Sequence, residues 1–340
     1  MEKKAKTRYI FAVLGIVAMV FTLIAILAIA QSIGSSRVSL EEDAPAAALG
    51  RRYTYLVLGK DRASGLTDVM MLVSVDTGNK RASVLQIPRD TYAEFRENGY
   101  RKFNGALSAL GAEGLCDFIE ENMSLSLDGY FLFDLDVFKE AVDAIGGVEI
   151  DLPQSLYYRD EYQGLDIRLE AGKHLLDGED AESFVRYRSG YLRGDLGRID
   201  AQKLFISSFI RKVKVSLTPA SALRIAGSLW GDIETNVGLS ELASVALSAY
   251  ETDEADISMA TLAGEDIRSS ESGAWFYVLS KSSCERMLSE AIGSSGGFDR
   301  NGVFRNASSA EFERIYHSDI PYDVRNSKDI SENGIEIAKQ

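Results

Sequence analysis

Residues 10–30 read IFAVLGIVAMVFTLIAILAIA, an unbroken uncharged run in which only Gly15 and Thr22 depart from ordinary apolar side chains. At 1.5 Å per residue it reaches across about 30 Å of hydrocarbon, so it predicts one transmembrane helix. Beyond it the pattern shortens. TYLVLG (54–59), VMMLVSV (69–75) and RASVLQI (81–87) are apolar runs of strand length, the last two joined by Thr77-Gly78-Asn79-Lys80. Their spacing predicts an antiparallel hairpin in a buried sheet. Between 105 and 122, Leu107, Leu110, Leu115, Phe118 and Ile119 recur at helical spacing, and a strand-like GYFLF follows at 129–133. The helical pattern returns over 135–145, stops at Gly146-Gly147, and gives way to a strand, VEIDL, at 148–152. Asp177 is placed to cap a further helix, and a longer one runs from about Asp195 with Ile199, Ile206, Ile210 and Val213 on one face.

Strands and helices in mixed order, with one antiparallel hairpin, imply an α/β fold: a mixed central sheet flanked by helices and preceded by the transmembrane helix. The segments predicted are a tail (1–9), the membrane helix (10–30), a Ser, Gly and acid-rich linker (31–50), a folded domain (51–293) and a polar extension (294–340). That extension opens on Gly293-Ser294-Ser295-Gly296-Gly297.

Charge orients the chain. Lys3, Lys4, Lys6 and Arg8 stand ahead of the apolar run against the one acid Glu2, so the N-terminus stays in the cytoplasm and everything after residue 30 lies outside it. A signal peptide cut after Ala28-Ile29-Ala30 is the alternative, but the apolar core of such peptides runs only about 7–15 residues. The whole chain carries −14, and its first nine residues hold four basic side chains and one acid, which leaves −17 on the remainder. That field repels nucleic acid, so nucleic acid is not an expected partner. Two cysteines, Cys116 and Cys284, and two histidines, His174 and His317, are too few for a disulfide framework or a zinc centre. Cys116 reads as a buried free thiol, although an oxidising exterior would permit a bridge to Cys284.

Four segments set Arg and Asp at the ends of apolar elements: GKDRASGLTD (59–68), IPRDT (87–91), VRYR (185–188) and GDLGRIDAQ (194–202). Asp61 follows one strand and Asp68 opens the next, so the two carboxylates can share a hard cation such as Mg²⁺ with substrate phosphates. Guanidinium matches phosphate with paired hydrogen bonds, and several around one pocket imply a di- or polyanionic ligand. Asp195, Arg198 and Gln202 fall on one helix face near an N-terminus, which also favours anions. Arg186 and Arg188 reach the same site only if their helix has already ended. Taken singly, each segment could equally be a surface ion pair or a turn.

In this order, GKDR, TD-x-MML, IPRDT, KFNGAL, YFLFDLDVFKEAVDAIGGVEIDLP, LLDGEDAESFVRYR and GDLGRIDAQ resemble the successive motifs of LytR-CpsA-Psr proteins, over roughly residues 53–265. The resemblance implies an envelope enzyme, a phosphotransferase that moves a glycopolymer such as teichoic acid or capsule from undecaprenyl pyrophosphate to peptidoglycan, with Mg²⁺ as cofactor. Its sites would lie in 51–293 on the outer face of the cell membrane. It implies Asp61 and Asp68 as metal-associated acids, Arg89, Arg186, Arg188, Arg198 and Gln202 as pyrophosphate ligands, and Asp61, Arg89 and Arg198 at the reacting centre.

Two positions depart from the family pattern, which usually has arginine where this chain has Leu66 and Ala201. They keep two rival readings in view, a non-catalytic envelope regulator that binds polyprenyl pyrophosphates and a lipid pyrophosphatase with water as acceptor. The group that takes the acceptor's proton is left open between carboxylates such as Asp90 and Asp195.

Overall fold

The computed structural model describes residues 50–60, 65–95, 102–152, 154–160, 165–188, 190–191, 193–216, 225, 229–238, 245, 248–249 and 251–334. The expected membrane helix at 10–30 and the candidate ligand Asp61 lie outside the described residues. Among the described residues no helix is long and apolar enough to cross a membrane.

Along the chain the strands are β1 (Arg52–Lys60), β2 (Thr67–Asp76), β3 (Arg81–Gln86), β4 (Gly129–Phe133), β5 (Val148–Leu152), β6 (Leu156–Asp160) and β7 (Leu165–Leu169). They continue with β8 (Gly172–Leu176), β9 (Glu234–Thr235), β10 (Ile257–Thr261), β11 (Gly264–Arg268), β12 (Trp275–Leu279) and β13 (Arg325–Asn326). Seven of them form one mixed sheet in the order β13-β10-β3-β2-β1-β4-β9. The expected hairpin is there, β2 against β3, and β1 also pairs antiparallel with β2. β4 joins β1 in parallel and β10 joins β3 in parallel. β1, β3, β4 and β10 therefore all end at the sheet edge where β2 begins.

Period-two alternation sorts the strands' side chains onto two faces. Tyr55, Val57, Met71, Val73 and Phe131 pack on one core, and Leu56, Leu58, Met70, Leu72 and Leu132 on the other. Both faces are covered, which is why β1 and β2 read as continuous apolar runs rather than alternating ones. On the first face lie α2 (Leu135–Ala144), α3 (Gly178–Arg186) and α4 (Asp195–Ser216); on the second lie α1 (Ala106–Met123), α5 (Lys281–Ile292) and α6 (Ala310–His317). Burying one Phe or Leu side chain contributes roughly 1.5–3 kcal/mol, and Phe184, Phe205 and Phe209 on the first face are fully buried.

The helices start where short acids can cap them. Asp134 accepts from the Asp136 and Val137 amides, and Asp177 accepts from Asp180 N, as its position predicts. α1 matches the expected helix but is interrupted at Gly111, whose φ is +73°. The strand expected at 148–152 forms outside the central sheet, paired with β8. Beyond residue 293, in the expected polar extension, Phe298, Phe304, Phe312, Ile315 and Tyr316 are buried in the second core. There β13 also pairs with β10, and α7 (Ser327–Asn333) buries Ile330 completely against the first core. Both cysteines are free thiols: Cys284 is buried, while Cys116 is half-buried rather than fully enclosed.

Candidate functional site

At the edge where β2 begins, the chain passes from β3 through Pro88 to Arg89. Met71 pairs with Gln86, and Ile87 N donates to Met70 O at 2.8 Å, so the β2–β3 register continues far enough to set Arg89 beside Asp68. Segment 102–104 then folds back on this corner. Asn104 N donates to Arg89 O at 3.0 Å, Phe103 N to Thr91 O at 2.8 Å, and Thr67 Oγ1 to Asn104 O at 3.1 Å. Arg89 is thereby fixed by backbone bonds on both sides.

α4 delivers the other half of the site. Gly197 lies against Tyr191, where an added Cβ would come within 2.5 Å of the tyrosine Cβ, so only glycine permits this turn to close onto the helix. The closure sets Asp195 and Arg198 over the sheet edge. Arg198 Nη2 lies 2.7 Å from Asp195 Oδ1, and Arg89 Nε lies 3.6 Å from the same oxygen. Asp68, Gln86, Arg89, Asp195, Arg198 and Gln202 line one small cavity. Gln202 acts inside it as a strut: its amide donates to Val185 O and accepts from Gln86 Nε2, each at 3.3 Å.

α3 ends at Arg186, with Tyr187 already extended at φ −60° and ψ 135°, so the condition for Arg188 to leave the helix face is met. Arg188 acts electrostatically on both Asp195 and Arg198. Arg186 behaves otherwise. Its guanidinium bonds Glu182 on its own helix, and only 6% of its side chain is exposed; neither it nor Arg188 lines the small cavity. Lys102, the first residue of KFNGAL, pairs with Asp90 at 3.0 Å and adds its charge to the field at Asp195. Lys102 and Gln86 each sit in or beside a motif, but neither carries a local sequence pattern that marks it as part of a site.

Charge in the site is unevenly matched. Arg198 keeps only 3% of its side chain exposed, and among the described residues its Nε has no hydrogen-bond partner. Burial draws it below an arginine's ordinary value; Asp195 and Asp68 oppose that, while Arg89 and Arg188 add to it. Arg89 is held above its ordinary value, because Asp68, Asp195 and Asp90 outweigh the cost of burial. For Asp195 burial resists ionisation, yet Arg198, Arg89, Arg188 and Lys102 outweigh it and the carboxyl stays below its usual range. Three guanidiniums thus bear on two carboxylates in a dry corner, an arrangement that a bound polyanion would complete.

Among the described residues no three acids or histidines converge on a metal position. Mg²⁺ on a pyrophosphate needs only one or two carboxylates, since phosphate oxygens and water fill its other positions. Asp68 lines the same cavity as the arginines and fits that demand.

The LytR_cpsA_psr family model matches residues 25–292. The chain is 28% identical over 247 residues to the polyisoprenyl-teichoic acid–peptidoglycan teichoic acid transferase TagU of Oceanobacillus iheyensis, a match covering 70% of this chain and 74% of that protein. It is 27% identical over 216 residues to regulatory protein MsrR of Staphylococcus aureus, covering 62% and 64%. The crystal structure of B. subtilis TagV aligns with a TM-score of 0.62 at 24% identity, over 73% of this chain and 99% of that one, a likeness of fold. With a family model spanning well over half its length, the chain belongs to the LytR_cpsA_psr family.

Proposed function

We propose that the chain is a membrane-anchored phosphotransferase that moves a glycopolymer from undecaprenyl pyrophosphate, or a close polyprenyl relative, to peptidoglycan. The observation that carries this reading is the arginine cluster, buried Arg89 and Arg198 with half-buried Arg188 beside them, against Asp68 and Asp195, whose charge calls for a polyanion. The name of the relative TagU, a teichoic acid transferase, points the same way. In this reading residues 10–30 hold the protein in the cell membrane with its N-terminus in the cytoplasm and the folded domain outside.

Arg89 and Arg198 would grip the pyrophosphate oxygens, with Arg188 at the edge. Asp195 would keep both guanidiniums aimed, and Gln202 would hold α4 against the end of α3. The positive field offsets charge on the pyrophosphate while an acceptor hydroxyl attacks in line and polyprenyl phosphate leaves. Asp68, together with Asp61, would hold Mg²⁺, which when bound neutralises part of the phosphate charge.

The test uses the full-length protein in detergent with a radiolabelled lipid-pyrophosphate glycan, peptidoglycan fragments and Mg²⁺. The expected outcome is label joined to the fragments through a phosphodiester, with loss of transfer on adding EDTA. Tight lipid binding without transfer would favour a regulator, the word in MsrR's name. Release of glycan phosphate to water alone would favour a pyrophosphatase.

A further inference from the structure

In-line attack by a hydroxyl requires a group to take its proton, and the carboxylates closest to the arginines in sequence are poor candidates. Asp195 is held at 2.7 Å by Arg198 and at 3.6 Å by Arg89, and its depressed affinity for protons makes it a weak base. Asp90 is paired with Lys102 at 3.0 Å.

A third carboxylate reaches the same corner through backbone pairing. Tyr277 N donates to Asp90 O, and Tyr92 N donates to Tyr277 O, each at 2.8 Å, so β12 lies alongside segment 90–92 with Tyr277 opposite Thr91. Across the β11–β12 hairpin Tyr277 pairs with Asp266. Thr91, Tyr277 and Asp266 are successive neighbours across a short ladder, and two strand spacings put Asp266 on the order of 10 Å from Thr91. Thr91 and Tyr277 are buried, whereas Asp266 is exposed at the rim.

Beside that rim opens a groove of about 700 Å³, room for a sugar unit. Its lining includes Arg193 just before α4, Leu196 in the first turn of α4, Gly264 and Tyr277 of the β11–β12 hairpin, and Tyr322 and Arg325. Tyr322 and Arg325 belong to the part of the chain beyond the family match, which ends at 292.

We infer, on the transferase reading above, that Asp266 is the general base of the reaction, and that the hydroxyl-bearing acceptor sugar approaches the pyrophosphate along this groove. The acceptor oxygen forms a bond to the phosphorus that carries the glycan. The bond from that phosphorus to the bridging oxygen breaks, its electron pair leaving with the polyprenyl monophosphate, and the hydroxyl proton passes to the Asp266 carboxylate. One P–O bond is made, one is broken, and no further reactant is needed.

The surroundings of Asp266 suit this role. Neighbouring protein strips part of the water from this rim carboxyl, and that loss, with the like charges of Asp195 and Asp90, pushes it up to about 6, against the pull of Arg193 and Lys102. A base titrating just below neutral pH is largely ionised at pH 7 yet still has appreciable affinity for a proton.

The test measures single-turnover transfer from a lipid-pyrophosphate glycan to peptidoglycan fragments by the full-length protein between pH 5 and 8, with donor affinity measured alongside. The wild-type rate should rise with a midpoint near 6. Asp266→Asn should transfer about 10²- to 10⁴-fold more slowly and lose that limb, Asp266→Glu should keep part of both, and donor affinity should stay within about twofold. Wild-type transfer that is flat across this range, or an Asp266→Asn variant with wild-type rate and profile, overturns the inference and leaves the transferase reading intact. A variant whose rate falls only as far as its donor binding falls also overturns it. If the wild type binds donor but transfers to no hydroxyl acceptor, the transferase reading fails and the role of Asp266 fails with it.

Discussion

Arg89 Nη1 donates to Asp68 Oδ1 at 2.6 Å, with 5% and 4% of the two side chains exposed. The pair is a consequence of strand register. Met71 faces Gln86 in the β2–β3 ladder, and three residues further along each strand the same register brings Asp68 to Arg89. An ion pair this dry costs a great deal to half-remove, because the remaining charge stays buried.

Asp68→Ala should therefore destabilise the protein by about 3 kcal/mol, with Asp195 at 3.6 Å supplying the compensation that remains. A urea-unfolding midpoint shifted downward at unchanged slope is the expected result. A midpoint unchanged from wild type would mean that Arg89 is balanced without Asp68.

Arg198→Ala tests the site as a pyrophosphate grip. Losing a charge-assisted contact from a buried guanidinium should cost roughly 1.5–3 kcal/mol, or about 10- to 150-fold in affinity. The loss should be much larger for a polyprenyl pyrophosphate than for the matching monophosphate, since the lipid chain contributes equally to both. Equal losses, read by titration of the two lipids, would assign Arg198 to structure.

Much of this corner is legible in the sequence because regular periodicity places it. Runs buried on both faces mark β1 and β2, Asp177 marks its helix start, and the face of α4 puts Arg198 and Gln202 together. Lys102 and Asp266 are not legible. Lys102 joins the site through an isolated bridge to Tyr92, and Asp266 through Tyr277, which itself bridges to Thr91; such pairings leave no mark in the local pattern. Arg186 is a case of local legibility: its partner Glu182 stands one helical turn earlier, at i, i+4 spacing that the sequence shows.

Asp266 also has a signature in stability. A carboxyl raised from its ordinary value to about 6 is protonated more readily in the folded than in the unfolded protein. It costs no stability below its unfolded value near 3.8; the cost grows as pH rises from there to about 6 and is fully present above it. Asp266→Asn should accordingly raise the melting temperature at pH 7.5, and the gain should shrink toward zero near pH 4. A shift of this size in a fully buried group would correspond to about 3 kcal/mol; Asp266 is exposed, so about 1 kcal/mol is the expected gain after solvent screening. A variant less stable than wild type at pH 7.5 would remove the electrostatic strain assigned to this carboxylate.

The chain after residue 293 looks like a polar extension, and the family match stops at 292, yet its apolar residues are spent on the domain's own cores. Ile330 has no exposed surface and packs with the first core, while Phe298, Phe304 and Phe312 complete the second. Met259 pairs with Arg325, so β13 also covers the outer edge of β10, and Arg325 in turn bonds Asp329 at 2.8 Å and Gly334 O at 2.8 Å. A segment merely appended to a finished domain could be removed at little cost. A segment that supplies core cannot, because its loss opens cavities and bares a strand edge. Ile330→Ala should cost about 2–5 kcal/mol and Ile330→Val about 0.5–1.5 kcal/mol, both read from urea midpoints. Truncation after residue 293 should lower the melting temperature sharply and promote aggregation through the exposed aromatics. If the truncated chain melts within a degree or two of the full protein, residues beyond 293 are an accessory to the fold and not part of its core.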